Sequence, residues 1–396
     1  MINTLSRPAI ALALTCPLLL APPALAFDAT GNDVADRFLE IVEAGNATVS
    51  GYDGVSQSGA SVTISGLRTA IEEGSAKSRL TIRETTIDDG QLTDDGGLSA
   101  ATLTMGGVNI EDLDEDEDVT VTAESIVISD PVLASPAEVK ASNGADAIAP
   151  TYSRAELTNI VIDAADEGRV PVSRIVAVID EMDGSLPTSG SLSVEGIEIA
   201  ADSLDDDERE VLSDLGYESL TLSFQMDADW KPDTGKLAID RLTLSGENAG
   251  TVNAALRISG LTREVLEQLD AAQDNPEQAM GLMQGLLVES VTLRIDNDSL
   301  VDRVLENQAK EAGSTREAFV EQLTGALPFM LSMLNNAEFQ AKVAGAATAF
   351  LQDPQSLSAT ATPAAPVPFA QILGTAMMAP QSLPDILGVT ITANED

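Results

Sequence analysis

Among the residues able to do chemistry, histidine is missing altogether and the single cysteine is Cys16. Ser-His-Asp and Cys-His nucleophilic catalysis, His- or Cys-ligated zinc, and haem or iron–sulfur ligation therefore lack their parts, and one cysteine cannot form an internal disulfide. No glycine-rich phosphate loop, G-x-S-x-G elbow or S-x-x-K pair is found. Carboxylates, Lys, Tyr and Ser remain. Catalysis would fall to two acids converging in a cleft, the arrangement of a carboxylate-using hydrolase. The expectation is that the protein is not an enzyme, with no catalytic residues, no cofactor and no metal ligands.

Three acidic groups are dense enough to weigh as cation sites. Residues 111–118 are all Asp or Glu except Leu113. A calcium loop places its carboxylates at fixed offsets around a Gly, and this run has none, so a solvated acidic turn is expected. Asp205, Asp206, Asp207 and Glu208 suit the first turn of a helix over residues 204–215, capped by Ser203 and ended by Gly216. Asp227, Asp229 and Asp233 flank Trp230 beside a hairpin turn.

The whole chain is acidic: 64 Asp and Glu stand against 21 Lys and Arg, for a net charge of -43. Such a surface repels nucleic acid and anionic membranes, so no nucleic-acid partner is expected. Binding of cations or basic partners is one reading of the charge; a solvated, self-repelling surface is the other. With 44% hydrophobic residues the chain still has material for a sizeable core.

The elements that would position a site begin after residue 26. Arg7, the mostly apolar residues 9–20 and Ala24-Leu25-Ala26 before Phe27 read as a cleavable secretory signal. A lipoprotein would acylate Cys16, but Thr15, Pro17 and the apolar run continuing to Leu20 argue against that. No later stretch reaches the roughly 20 apolar residues of a transmembrane helix. The expected product is exported and periplasmic.

A short helix follows, capped by Asn32 or Asp33, with Val34, Phe38, Ile41 and Val42 on one stripe and Gly45 at its end. Then come strands. Residues 217–261 read as a three-stranded antiparallel meander: Leu220, Leu222, Phe224, Met226, Ala228 and Trp230 alternate with polar residues. Residues 231–235 supply a turn, and Leu237, Ile239, Leu242 and Leu244 continue with a one-residue change of phase. That h-x-h-x-x-h-x-h pattern recurs from residues 80, 103, 126, 155 and 192, and in part at Val62, Ile64 and Leu67. The unequal spacing excludes a regular solenoid. A phase change inside a strand implies a β-bulge, and repeated bulges would curl a long antiparallel sheet into a trough; bent strands of a sandwich would give the same pattern.

Near Leu261 the pattern turns helical, with Thr262, Asn275-Pro276, Asp298 and a Ser314–Glu317 capping box opening successive helices. One strand interposes at residues 288–295, a long helix runs through Leu334 with a kink expected at Pro328, and residues 388–393 close the chain as a strand. Met280, Met283, Met330, Met333, Met377 and Met378 lie here. They read either as gap-fillers in a helical core or as a soft surface for acyl chains or a partner.

The expected class is α+β: a long curved antiparallel sheet of repeated hairpins over residues 27–260, with a helical region over 261–396 packed on it. An exported chain of Leu-x-Ile-x-x-Leu-x-Leu hairpins, as at residues 237–244, resembles the periplasmic AsmA-like and YdgA-like proteins. The resemblance implies a long curved sheet with an apolar concave face and a part in lipid handling and outer-membrane integrity; it supplies no catalytic or binding residues. The candidate ligand groove is Leu220, Leu222, Phe224, Leu237, Ile239, Leu242 and Leu244, and lipid or another amphiphile is the leading ligand class. The alternative is an acidic structural or cation-binding envelope protein without a small-molecule pocket.

Overall fold

The computed structural model describes residues 27–45, 47–73, 76–113, 119–141, 151–164, 168–272 and 275–395. The expected signal segment, with Cys16, and residues 114–118 of the acidic run lie outside them. The chain divides into two compact units, Met1–Ile179 and Asp180–Asp396.

The first unit opens with α1 (Asp33–Ala44), whose N-terminus is capped by the Asn32 side chain accepting from the backbone N–H of Val34 and Ala35. Its strands are β1 (Ala47–Gly51), β2 (Gly54–Ser58), β3 (Ser61–Glu73), β4 (Ala76–Asp88), β5 (Gln91–Leu92), β6 (Leu98–Ser99), β7 (Thr102–Asp112), β8 (Val119–Ser129) and β9 (Val132–Leu133). The short α2 (Pro136–Ala141), β10 (Arg154–Ala164) and β11 (Gly168–Asp183) follow. Pairing runs β1-β3-β4-β7-β8-β10-β11, all antiparallel, with β2 on the outside of β3 and a small β5-β6-β9 sheet apart. Helix α1 packs against β1, β3, β5 and β6 and buries Phe38, Leu39 and Ile41.

The phase change in these strands is made differently from the expected bulge. Ser65↔Glu84 and Leu67↔Ile82 keep one register across the step, as do Glu84↔Gly106 and Ile82↔Val108, and Thr158↔Ser125 and Ile160↔Ala123. A left-handed residue sits at the step on every second strand: Gly66, Gly107 and Asn159, with φ of 62°, 62° and 48°. Neighbouring strands step together, so at these positions no strand carries an extra residue and the ladder stays in register; the register shift in this unit lies instead at Val49/Gly51 in β1. The left-handed φ favours glycine at Gly66 and Gly107, and a Cβ there would also displace a neighbouring side chain, falling 2.1 Å from the Asp53 carboxylate or 2.9 Å from Arg83 Cζ. The result is one continuous buried row, Leu67, Ile82, Val108, Ala123, Ile160 and Val172.

The second unit begins with β12 (Leu186–Ala200), α3 (Asp206–Asp214) and the expected meander, β13 (Ser219–Lys231), β14 (Lys236–Gly246) and β15 (Gly250–Ser259). After α4 (Arg263–Ala271) and α5 (Pro276–Met283) come β16 (Leu287–Asn297), α6 (Leu300–Glu311), α7 (Arg316–Leu331) and α8 (Ala337–Gln352). The chain closes with β17 (Ser356–Ala361), β18 (Val367–Pro368), α9 (Phe369–Met378), α10 (Leu383–Ile386) and β19 (Val389–Ala393). Pairing runs β12-β13-β14-β15-β16-β17-β19, again antiparallel, with β18 on β16. Here the expected bulges are present: the register shifts by one at Val194/Ile197, Asp227/Ala228, Ile239/Leu242 and Arg257/Ile258, bending those strands. The class is α+β, antiparallel hairpins with helices gathered towards the C-terminus.

Three helix starts differ from expectation. Asp205, not Ser203, caps α3 through Glu208 N–H, because residues 201–203 form a 3-10 turn of their own. Asn297, not Asp298, reaches the first turn of α6, accepting from Val301 N–H at 2.8 Å. Thr315, not Ser314, caps α7, so Glu317 does not close a capping box with Ser314. Each cap lies one or two residues from its expected place, where several Ser, Thr, Asn or Asp stand together. Helix α7, expected to lean on the sheet, packs against α6 and α8; α8 in turn lies on β17 and β19.

An open apolar face as the candidate functional site

Register places the candidate residues on one face of the second unit. Phe224 pairs with Leu244, Leu244 with Val252, Val252 with Ile295 and Ile295 with Leu357. The next row is Met226, Leu242, Ala254, Leu293 and Ala359, and the next Ala228, Ile239, Leu256, Val291 and Ala361. Paired residues point to the same side of a sheet, so alternation along each strand and register across strands together assemble a broad aliphatic surface. The bulges keep it continuous: without the shift at Ile239/Leu242, the residues beyond it would turn to the polar side.

The opposite face is polar and internally paired. Arg241 bonds Asp227 at 2.7 Å, Arg257 bonds Asp240 at 2.6 Å, Thr243 bonds Asn253 at 2.8 Å and Arg294 bonds Asp296 at 2.8 Å. Asp227 is therefore one half of a cross-strand ion pair, and Asp229 lies 3.7 Å from Lys231. Among the described residues no cluster of His, Cys, Asp or Glu is arranged to hold a metal ion.

The seven candidate residues do not share one environment. Leu220 packs into a small core with Leu212, Tyr217 and Ala249 under α3 and is not part of an open groove. Leu237 pairs with the buried Trp230, whose indole N–H donates to the Leu261 carbonyl at 2.7 Å, so that end of the sheet is closed. Leu222, Phe224, Ile239 and Leu242 are half-buried. Leu244 stands 47% exposed, and its neighbours on the same face, Val252, Val291 and Leu293, are exposed with it. The opening thus starts at Leu244 on β14, within the candidate set, and extends one and two strands beyond it onto β15 and β16. Val252, Val291 and Leu293 are visible in the sequence as strand residues; nothing local says that two further strands, β15 and β16, put them on the same face as Leu244.

A polar cleft of about 640 Å³ lies at one end of these strands, lined by Tyr217, Glu218, Glu247, Asp298, Ser299 and Arg303 among others. Arg303 stacks 4.2 Å over the Tyr217 ring and donates to the carbonyls of Leu215 and Gly216, both at 2.8 Å, and to Ser299 Oγ at 3.0 Å. Its charge is committed to holding α6 against the loop before β13. Glu218, Glu247 and Asp298 are exposed to water.

A family model described only as an uncharacterized protein matches residues 243–394. That stretch holds Leu244, Val252, Val291 and Leu293 together with every helix from α4 to α10. No curated protein matches the chain.

Proposed function

We propose that the protein is an exported, non-enzymatic envelope protein that holds lipid or another amphiphile on the apolar face of its second unit. The observation that carries this reading is the exposure of Leu244, Val252, Val291 and Leu293 in adjoining rows of one sheet face. A contiguous aliphatic surface in water is a standing free-energy cost, at about 25 cal/mol per Å², and an acyl chain laid across it relieves that cost without any polar partner. The polar face behind it, with its cross-strand ion pairs, needs no such cover. Export to the periplasm is supported by the signal-like residues 1–26 and by the likeness of the hairpin pattern to AsmA-like proteins. Among the described residues no helix is long and apolar enough to cross a membrane.

The test is binding of an environment-sensitive apolar fluorophore and of a fatty acid to the intact protein. Both should bind, compete with each other, and lose affinity together in Leu244→Asp and Leu293→Asp. Absence of binding to wild-type protein, or binding indifferent to both substitutions, would remove the proposal. Native mass spectrometry of protein taken from its own compartment would identify the bound molecule.

A further inference from the structure

The two segments of the second unit with the most exposed apolar side chains are also free of charge. Phe329 and Met330 end α7, Met377 and Met378 end α9, and Phe329, Met377 and Met378 are 84%, 87% and 85% exposed. No Asp, Glu, Lys or Arg occurs between Glu321 and Glu338 or between Asp353 and Asp385, in a chain whose net charge is -43. The segments meet: Asn336, which caps α8 through Phe339 N–H at 3.0 Å, donates from Nδ2 to the Gln381 carbonyl at 3.0 Å. The turn after α7 is thereby fastened to the turn after α9.

We propose that this charge-free tip docks on an electrically neutral lipid surface. The side chains stand outward instead of lining a recess, so the complementary partner is one that yields around them, and an acyl-headgroup boundary does so at the cost of little shape matching. Insertion of Phe329, Met330, Met377 and Met378 desolvates no charge of their own segments; a neighbouring carboxylate, that of Asp385, which accepts from Asn336 Nδ2 at 3.4 Å, is exposed and has to stay in water, since burying it would be expensive. Lys and Arg are missing from the tip while the rest of the chain is strongly acidic, so anionic headgroups repel the protein and neutral ones accept it. Met suits the role, since its unbranched thioether side chain adapts to an irregular surface. The tip is separate from the sheet face around Leu244 and does not depend on what that face binds.

The experiment is flotation of the full chain with vesicles of pure phosphatidylcholine, and with vesicles containing phosphatidylglycerol. Wild-type protein should float with phosphatidylcholine independently of salt and float less with phosphatidylglycerol at low salt. The double variant Phe329→Asp/Met377→Asp should lose roughly tenfold or more of the bound fraction per free fraction, with an unchanged melting temperature because both side chains are already in water. Leu293→Asp should float as wild type does, which separates this surface from the sheet face. Failure of wild type to float, or equal flotation of the double variant, overturns the proposal. So does a concentration-dependent dimer in sedimentation velocity that the double variant abolishes, since the tip would then be covered by a second copy.

Discussion

Truncating Leu293 and Leu305 to Ala in separate variants compares the open face with a true core position in the same unit. Leu305 is 5% exposed on the inner side of α6, and its loss combines the transfer of the side chain with the cavity it leaves, about 2–5 kcal/mol. Leu293 keeps 43% of its surface in water. Full burial of a Leu side chain is worth about 1.5–3 kcal/mol, so roughly half of that, ~1 kcal/mol, is at stake, and no cavity forms because the site opens to solvent. Leu293→Asp should be tolerated nearly as well, since the carboxylate meets water. Trp230 is the only Trp in the chain and is buried in β13, so its fluorescence in a denaturant titration reports the second unit by itself. Apolar-probe binding, run on the same samples, should survive Leu305→Ala and fall sharply in Leu293→Asp. A loss at Leu293→Ala as large as at Leu305→Ala would refute the reasoning, because it would mean that the face is packed. Unfolding of Leu293→Asp would refute it equally.

Other expectations concern the first unit and the charge. Arg174 and Arg154, bonded to Glu156 at 2.8 and 2.9 Å, hold its carboxyl down from 4.5 to about 2; a depressed acid contributes stability above its ordinary value and loses it as the pH falls towards about 2, so Glu156→Gln should flatten the acid limb of the melting curve over that window. Glu43 behaves with the opposite sign: burial raises its carboxyl and Oε1 has no hydrogen-bond partner, so the folded state is favoured at low pH and loses ground as the pH rises through the raised value. Glu43→Gln should therefore gain stability at pH 7 relative to wild type, more than at pH 4, measured by thermal melts. Gly107→Ala should cost more than Gly59→Ala, because both are left-handed but only at Gly107 would the new Cβ meet a neighbour, Arg83; a left-handed Ala alone costs about 1–2 kcal/mol, and denaturant midpoints compare the two. Sodium chloride should raise the melting temperature by screening the carboxylates, and calcium at matched ionic strength should add no saturable rise at micromolar levels.

Much of the architecture is legible in the chain because it rests on local alternation. The meander of β13, β14 and β15, the turn at residues 232–235, the helix starts at Thr262 and Asn275, and the interposed strand β16 all follow from apolar period and turn residues. The caps at Asn32, Thr262 and Asn275 fall where expected, while three others were legible only to within a residue or two, since an equally able capping side chain stands within two residues of Ser203, Asp298 and Ser314. The methionines divide by a property with no local signature: Met280, Met330, Met377 and Met378 are exposed and cannot be filling gaps in a core.

The same h-x-h-x-x-h-x-h pattern ends in two different packings, and this shows where reading a sequence stops. In the first unit, left-handed Gly66, Gly107 and Asn159 step adjacent strands together, and the row from Leu67 to Val172 is buried throughout. In the second, single-strand bulges at Ile239/Leu242 and Arg257/Ile258 do the same for the apolar phase, yet Leu244, Val252, Val291 and Leu293 stay open. A period of two decides which side chains share a face, and a phase change decides that they continue to share it. Neither decides whether anything lies over that face, because a covering element is placed by contacts far away in sequence. The helices that might have closed the second sheet keep to each other and to the strands that follow β16: α7 lies on α6 and α8, α8 on β17 and β19, and α9 on β18, which pairs with the Leu287–Val288 end of β16. The rows left open, on β14, β15 and β16, are the ones proposed above to hold an amphiphile.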